Sequence, residues 1–267
     1  MSDDGQIATI TLNQPHIRNA QNPITWSALR TSVAALPGTV RVLLIRGEGP
    51  AFSAGLDRRM FSPDGLPGVP TLAALAGSEP AVADAEIAGY QQAFAALARP
   101  DLVSIALVQG HAVGAGFQLA LACDLRIAAP DAQFSMAEVN LGLVPDLGGT
   151  KRLLELIGYS RAASVCLTGR RVSAAEADRI GLVSAVVPAD ELRSSGQQWA
   201  ELICQQPRSA VAEIKALLLA AADRSQAEQE VAEREAQYRQ LRELAGMVAE
   251  DEPVARQPGD GPTGSRS

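Results

Sequence analysis

Three runs of apolar, largely β-branched residues constrain this chain more than any other feature. VRVLLIRG (40–47) and LVSIALVQG (102–110) are apolar almost without a break, and DLRIAAP (124–130) is a third, shorter run. A strand with one wet face alternates apolar and polar residues, whereas a nearly continuous run fits a strand covered on both faces, as in parallel sheets flanked by helices. QIATITL (6–12) reads as a further strand, punctuated by Asn13-Gln14-Pro15. Helical patterns separate the runs. Residues 23–36 open with Pro23 and carry Trp26, Leu29, Val33 and Leu36 at helical spacing, 82–98 form an Ala-rich helix, and GAGFQLALAC (114–123) is a glycine pair feeding an apolar helix. Further helices are expected over 148–158, 160–168, 173–180 and 207–222, with a short extended piece at 183–188. Strands alternating with helices define an α/β core followed by a helical C-terminal region. The division expected is a core over 1–205, helices over 206–250, and a disordered Pro/Gly/Ser-rich tail over 251–267. Residues 61–80 hold too many Pro and Gly for regular structure beyond a short helix at 71–76.

Composition excludes several function classes. With 267 residues and 47% of them hydrophobic, a large single core is affordable. The 23 Lys and Arg fall short of the 30 Asp and Glu, giving a net charge of −7 and no basis for a nucleic-acid partner. No apolar run is long enough to span a bilayer, and the start MSDDGQ is unlike a targeting peptide. Three separated cysteines (Cys123, Cys166 and Cys204) suit a reducing, cytoplasmic setting, and two histidines without a Cys-x-x-Cys pair give no metal set.

Two small-residue turns stand out, AFSAGLD (51–57) after one strand and GHAVGAGF (110–117) before the apolar helix. The second departs from a dinucleotide fingerprint, since Leu119 occupies the third glycine position. Each turn can aim a free backbone N–H at one carbonyl oxygen, the arrangement that stabilises an enolate. Two acids follow. Glu138 sits in an otherwise apolar stretch, so it is either a partly desolvated carboxylate or a surface one; Asp146 is either functional or the N-cap of the helix beginning near Gly148. His16 and His111 have no Ser or Cys partner motif, and no G-x-S-x-G elbow occurs.

Taken together, AFSAGLD (51–57), GHAVGAGFQLALACDLRIAAPDAQF (110–134) and AEVNLGLVPDLGGTKRL (137–153), preceded by TLNQPHIRNA (11–20), resemble the signature blocks of the crotonase superfamily, the enoyl-CoA hydratases and isomerases. The resemblance implies a spiral of β-β-α units with an α-helical C-terminal region, assembly as a homotrimer or homohexamer, and an acyl-CoA substrate with no separate cofactor. It implies an oxyanion hole from the N–H groups of Leu56 and Ala115. It also implies CoA contacts from His16, Arg18, Ala54, Gly55, Asp57 and Gly114, with Lys151 a weaker candidate. Hydratases of this superfamily carry two glutamates; here the second is Glu138, but the first position holds Gln118. An amide cannot titrate, so Gln118 either orients a water or satisfies the helix and pocket wall. Asp146 falls where some isomerases of the superfamily have a functional aspartate. The activity expected is therefore a double-bond shift in an unsaturated acyl-CoA using Glu138 and Asp146. The alternatives are 2-enoyl-CoA hydration by Glu138 with Gln118 orienting water, and a non-catalytic acyl-CoA binder.

Overall fold

The structure, a computed structural model, describes residues 1–2 and 4–246; the tail expected over 251–267 lies outside the described residues. It divides into two compact units at Asp223/Arg224, so the expected core boundary at 205/206 falls inside the first unit. In chain order the first unit contains β1 (Ile7–Leu12), α1 (Pro23–Ala34), β2 (Val42–Gly47), α2 (Leu72–Ala76), α3 (Pro80–Ala95), β3 (Val103–Val108), β4 (His111–Val113) and α4 (Ala115–Ala122). It continues with β5 (Leu125–Ala128), β6 (Gln133–Ser135), α5 (Gly149–Ile157), α6 (Tyr159–Thr168), β7 (Arg171–Ser173), α7 (Ala174–Arg179), β8 (Ala185–Val186), α8 (Leu192–Cys204) and α9 (Arg208–Ala221). The second unit holds α10 (Gln226–Leu244), opened by a capping box between Ser225 and Glu228.

The long apolar runs form a parallel sheet in the order β1-β2-β3-β5-β8. Alternate side chains of β2 leave for opposite faces. Leu43 and Ile45 join one cluster with Phe94, Phe117 and Phe134, while Val42 and Leu44 join another with Ile105, Ile127, Leu192 and Ala200. Each of these buried aliphatic side chains contributes about 1.5–3 kcal/mol relative to exposure. Both faces are covered, as the unbroken apolar runs require.

The second face is covered partly by α8, a helix that the sequence pattern did not suggest. Its segment LRSSGQQWAELIC begins polar and contains a glycine, which hides a buried stripe of Leu192, Gly196 and Ala200 at four-residue spacing. Gly196 is required by contact, because a Cβ there would stand 2.6 Å from a methyl of Leu107 on β3.

A second sheet, β4-β6-β7, was also missed, its strands being three residues each and too short to show a period. It explains the spiral. β3 passes through Gly110 directly into β4, and β5 is followed by β6, so each turn gives one strand to each sheet before a helix. The turn after β2 does likewise, Ser53 making an isolated parallel bridge with Ala112 of β4. This is the crotonase fold, with its spiral of β-β-α units and C-terminal helices. Its consequence is that the ends of successive turns, Ser53–Asp57 and Val113–Ala115, lie against each other.

Candidate active site

Hydrogen bonds and close approach hold the two turns in register. Ser53 N–H donates to His111 O at 2.8 Å, and Val113 N–H donates to Ser53 O at 3.0 Å. Gly55 has φ +87°, and a Cβ on it would meet Val113 O at 2.5 Å and Ala115 N at 3.6 Å, so no larger residue fits. Gly116 is equally confined, since its Cβ would fall 2.6 Å from Ser53 O. The N–H groups of Leu56 and Ala115 therefore sit on adjoining turns. Among the described residues neither donates to a protein acceptor. Ala115 opens α4, so its N–H is one of the free donors at a helix start. At the other end of α4, Arg126 donates to Cys123 O at 2.7 Å and Arg152 to Ala122 O at 2.6 Å, placing two cations where the helix dipole is negative.

A buried polar network under the first turn includes residues that sequence reasoning did not single out. Asn19 Nδ2 donates to Glu48 O and Ala51 O at 2.9 and 2.8 Å. Ser53 Oγ donates to Asn19 O at 2.7 Å and receives Gln21 Nε2 at 3.0 Å. These side chains gave no signal beyond being polar near a small-residue turn. Their burial shows that they shape the turn.

Glu138 lies in a short 3-10 helix, Ala137–Leu141, and is not a surface carboxylate. Its Oε1 would be 3.3 Å from a Cβ on Gly114, which places the carboxyl beside the start of α4. Gln118, only 1% exposed, donates its Nε2 to Glu138 Oε1 at 2.7 Å. Gln118 Oε1 in turn accepts Leu147 N–H at 2.9 Å and Gly149 N–H at 3.2 Å. Both acceptor directions of that oxygen are used, which fixes the amide with its nitrogen toward Glu138. Gln118 is thus both the cap of α5's first turn and a clamp on Glu138. Glu138 Oε2 is buried without a protein partner. Burial pushes the Glu138 carboxyl above its ordinary range; its own N–H and Gln118 pull it down, and the charge of Asp146 adds to the rise.

Asp146 does not cap α5. The N-cap is Gly148, with no side-chain cap bond, because Gln118 already serves the N–H groups there. Burial raises the Asp146 carboxyl as well, its own N–H opposing, and its backbone oxygen accepts Gln91 Nε2 at 2.7 Å.

The other expected residues separate into two sets. Arg18, in a left-handed conformation at φ 52°, offers its backbone oxygen to Ala54 N–H at 2.8 Å, so the N-terminal block and the first turn meet, with His16 and Arg18 exposed at that edge. Ala54, Gly55 and Gly114 belong to the two turns themselves. Asp57 is 4% exposed, its side chain held by Arg59, whose Nη2 donates to Oδ2 at 2.6 Å. The Arg59 bond lowers its carboxyl pKa, and its part is to fix the turn. Lys151 pairs with Asp223 at 2.8 Å on the surface. Among the described residues no group of three His, Cys, Asp or Glu is placed to hold a metal, and no helix is long and apolar enough to cross a membrane.

Adjoining N–H donors thus lie beside a desolvated carboxyl on a spiral of β-β-α turns. Comparison shows the family to which a chain with this arrangement belongs. The family model for enoyl-CoA hydratase/isomerase matches residues 2–249, and the chain belongs to that family, within the crotonase superfamily. It is 35% identical over 209 residues, 78% of this chain and 75% of the relative, to echA8 of Mycobacterium tuberculosis, assigned as an enoyl-CoA hydratase. It is 34% identical over 192 residues, 71% and 69% of the two chains, to the 2,3-dehydroadipyl-CoA hydratase of Escherichia coli. Among solved structures, a Thermobifida fusca YX protein assigned as an enoyl-CoA hydratase and solved with CoA superposes with a TM-score of 0.86 at 45% identity, covering 92% of this chain and 93% of that one.

Proposed function

We propose that this enzyme shifts a double bond in an unsaturated acyl-CoA, through an enolate whose oxygen is held by the N–H groups of Leu56 and Ala115. The observation that carries this reading is the fixed orientation of Gln118. Its oxygen is committed to Leu147 and Gly149, so it can only donate, and the position cannot take a proton from water. Glu138, beside the start of α4, and Asp146, which acts on it electrostatically, are carboxyls raised by burial. Glu138 removes a proton from the α-carbon or γ-carbon, and Asp146 or the protonated Glu138 returns one at the other end. His16, Arg18 and Ala54 line the edge from which the CoA would approach. Coenzyme A is part of the substrate, and the chemistry asks for no further cofactor. Exposed Tyr159, Leu167, Ile214 and Leu218 on α6 and α9 support assembly as a trimer or hexamer, since apolar surface of that kind is commonly covered by a partner.

Hydration of a 2-enoyl-CoA is the second reading, favoured by the names of the relatives, with Glu138 as principal acid–base. Incubation with 2-enoyl-, 3-enoyl- and 3,5-dienoyl-CoA, with products resolved by mass and absorbance, separates the two. Isomerisation leaves mass unchanged, and rapid addition of water to the 2-enoyl thioester would overturn the first reading. Glu138→Gln should lower turnover by about 100-fold or more in either case. Tight thioester binding without turnover of any substrate would leave only a binding protein.

A further inference from the structure

Tyr90 is a half-buried residue whose phenolic oxygen is buried and is not used by the chemistry above. It lies on α3, its ring 5.0 Å from that of Trp26, whose Nε1 is tied to Gln21 Oε1 at 2.9 Å. The phenolic oxygen is inaccessible to solvent and makes no hydrogen bond of ordinary geometry, although the Glu86 carboxyl lies close enough to act on it. A buried hydroxyl left in that condition is costly, and costly polar atoms beside a reactive site ask for a partner. The neighbouring residue, Gln91, donates to Asp146 O at 2.7 Å and so ties α3 to the loop that carries Asp146. Asp146 acts electrostatically on both Glu138 and Tyr90, which extends the polar series of the site from Glu138 through Asp146 to Tyr90. Burial first, then the charge of Glu86, the interaction of its carboxyl with the phenol, and last the charge of Asp146, push the phenol up to about 12, so it keeps its proton and is a donor at working pH.

We propose that Tyr90 is a specificity-determining residue, its hydroxyl acting with the Asp146 carboxyl to receive a hydroxyl group carried on the acyl chain beyond the reacting carbons. A chain hydroxyl accepts from the phenol and donates to the carboxylate, which satisfies both groups at once. A plain hydrocarbon chain leaves the phenol unpaired, and a terminal carboxylate meets Glu86, Asp146 and Glu138, all of its own sign. The substrate class is therefore a neutral, hydroxylated acyl thioester. This rests on the proposed acyl-CoA site, with Glu138 carrying the proton transfers and the Asp146 carboxylate left to accept from the chain.

The test is equilibrium binding of saturated thioesters, which the enzyme cannot turn over: hexanoyl-CoA, its 4-, 5- and 6-hydroxy derivatives, and adipyl-CoA, each against wild type and Tyr90→Phe. At least one hydroxyhexanoyl-CoA should bind about 10-fold more tightly than hexanoyl-CoA to wild type, because a site built to hydrogen-bond a hydroxyl discriminates against its absence. Tyr90→Phe should erase that difference while leaving hexanoyl-CoA affinity within about 2-fold. Adipyl-CoA should bind most weakly to both. The unliganded Tyr90→Phe protein should melt at or above the wild-type temperature, since an unpaired hydroxyl has been removed. Hexanoyl-CoA binding with no gain from any hydroxyl, or a gain that survives Tyr90→Phe, overturns the proposal and leaves the acyl-CoA site standing. A lower melting temperature for Tyr90→Phe also overturns it, because the phenol would then already have a protein partner. Failure of every thioester to bind overturns the proposal together with the function it rests on.

Discussion

Replacing Gln118 by leucine separates the two tasks that the structure gives this side chain. The substitution removes the acceptor of Leu147 N–H and Gly149 N–H, both buried, and the donor to Glu138 Oε1. Each orphaned backbone N–H costs about 1–3 kcal/mol, and leucine's added apolar burial returns about 1–2 kcal/mol. The expected net loss centres on about 2.5 kcal/mol, which for a domain of this size lowers the melting temperature by about 5–10 °C. Gln118→Glu is the control. Its carboxylate can still accept both N–H groups, so at pH 5 it should lose less than Gln118→Leu. There it shares one proton with Glu138, a pair that cannot comfortably ionise twice. Because the folded state then holds a proton that the unfolded chain releases, the stability of Gln118→Glu should fall as pH rises from 5 to 8. Calorimetric or circular-dichroism melts at the two pH values supply both numbers. Gln118→Leu melting within about 1 °C of wild type would show that Gln118 does not hold α5, and the argument for its fixed amide would go with it.

Further outcomes follow from the same geometry. Burial raises both Glu138 and Asp146, so kcat/KM should fall as pH drops through a value above the ordinary carboxylate range, where Glu138 takes up the proton that a base must lack. The same raised groups destabilise the fold once charged, so this part of the stability is full below the ordinary carboxylate pKa and is lost as pH rises through the raised values. Asp146→Asn should lower turnover by about 100-fold if the pair shares the proton transfers; full activity would mean that Glu138 works alone. Sedimentation at micromolar concentration should give a trimer or a multiple of it, and a single species at the chain mass of 27.9 kDa would refute assembly through the apolar faces of α6 and α9.

What could be read from the sequence follows the length over which each signal is spread. The five-stranded sheet was legible because unbroken runs such as VLLIRG admit few alternatives, and β2 does divide its side chains between two clusters. The second sheet was not, since three-residue strands carry no measurable period. Residue 196 shows a different failure. A glycine inside a polar-looking segment reads as a breaker, and its reason, the Leu107 side chain beneath it, lies in a distant part of the chain. At the site, the two turns were found by their small residues and Glu138 by its apolar setting. Whether Asp146 capped a helix could not be decided from spacing, because the side chain that serves α5 is Gln118, supplied from another helix. Tyr90 gave no sign at all: a tyrosine in an Ala-rich helix looks like core, and only the surroundings of its oxygen make it a candidate.

The placement of Glu138 beside the start of α4 gives the site its economy of charge. Before reaction the negative charge is on the carboxylate, near the free N–H of Ala115 and the positive end of the helix dipole. In the proposed reaction Glu138 becomes neutral on taking the substrate proton, and the charge would reappear on the thioester oxygen between the Leu56 and Ala115 N–H groups. The local charge is then the same before and after, so the surroundings need little reorganisation, which is where preorganised dipoles gain over water. The carboxylate has one amide donor and a second oxygen without a partner, so the buried charge is held less well than the enolate facing two donors. A second clamp on Oε2 would stabilise the resting carboxylate more than the enolate and slow the transfer. On the proposed mechanism the unpaired oxygen of Glu138 is for that reason a working feature of the base, and the hydrogen bond from Gln118 sets how far its basicity is restrained.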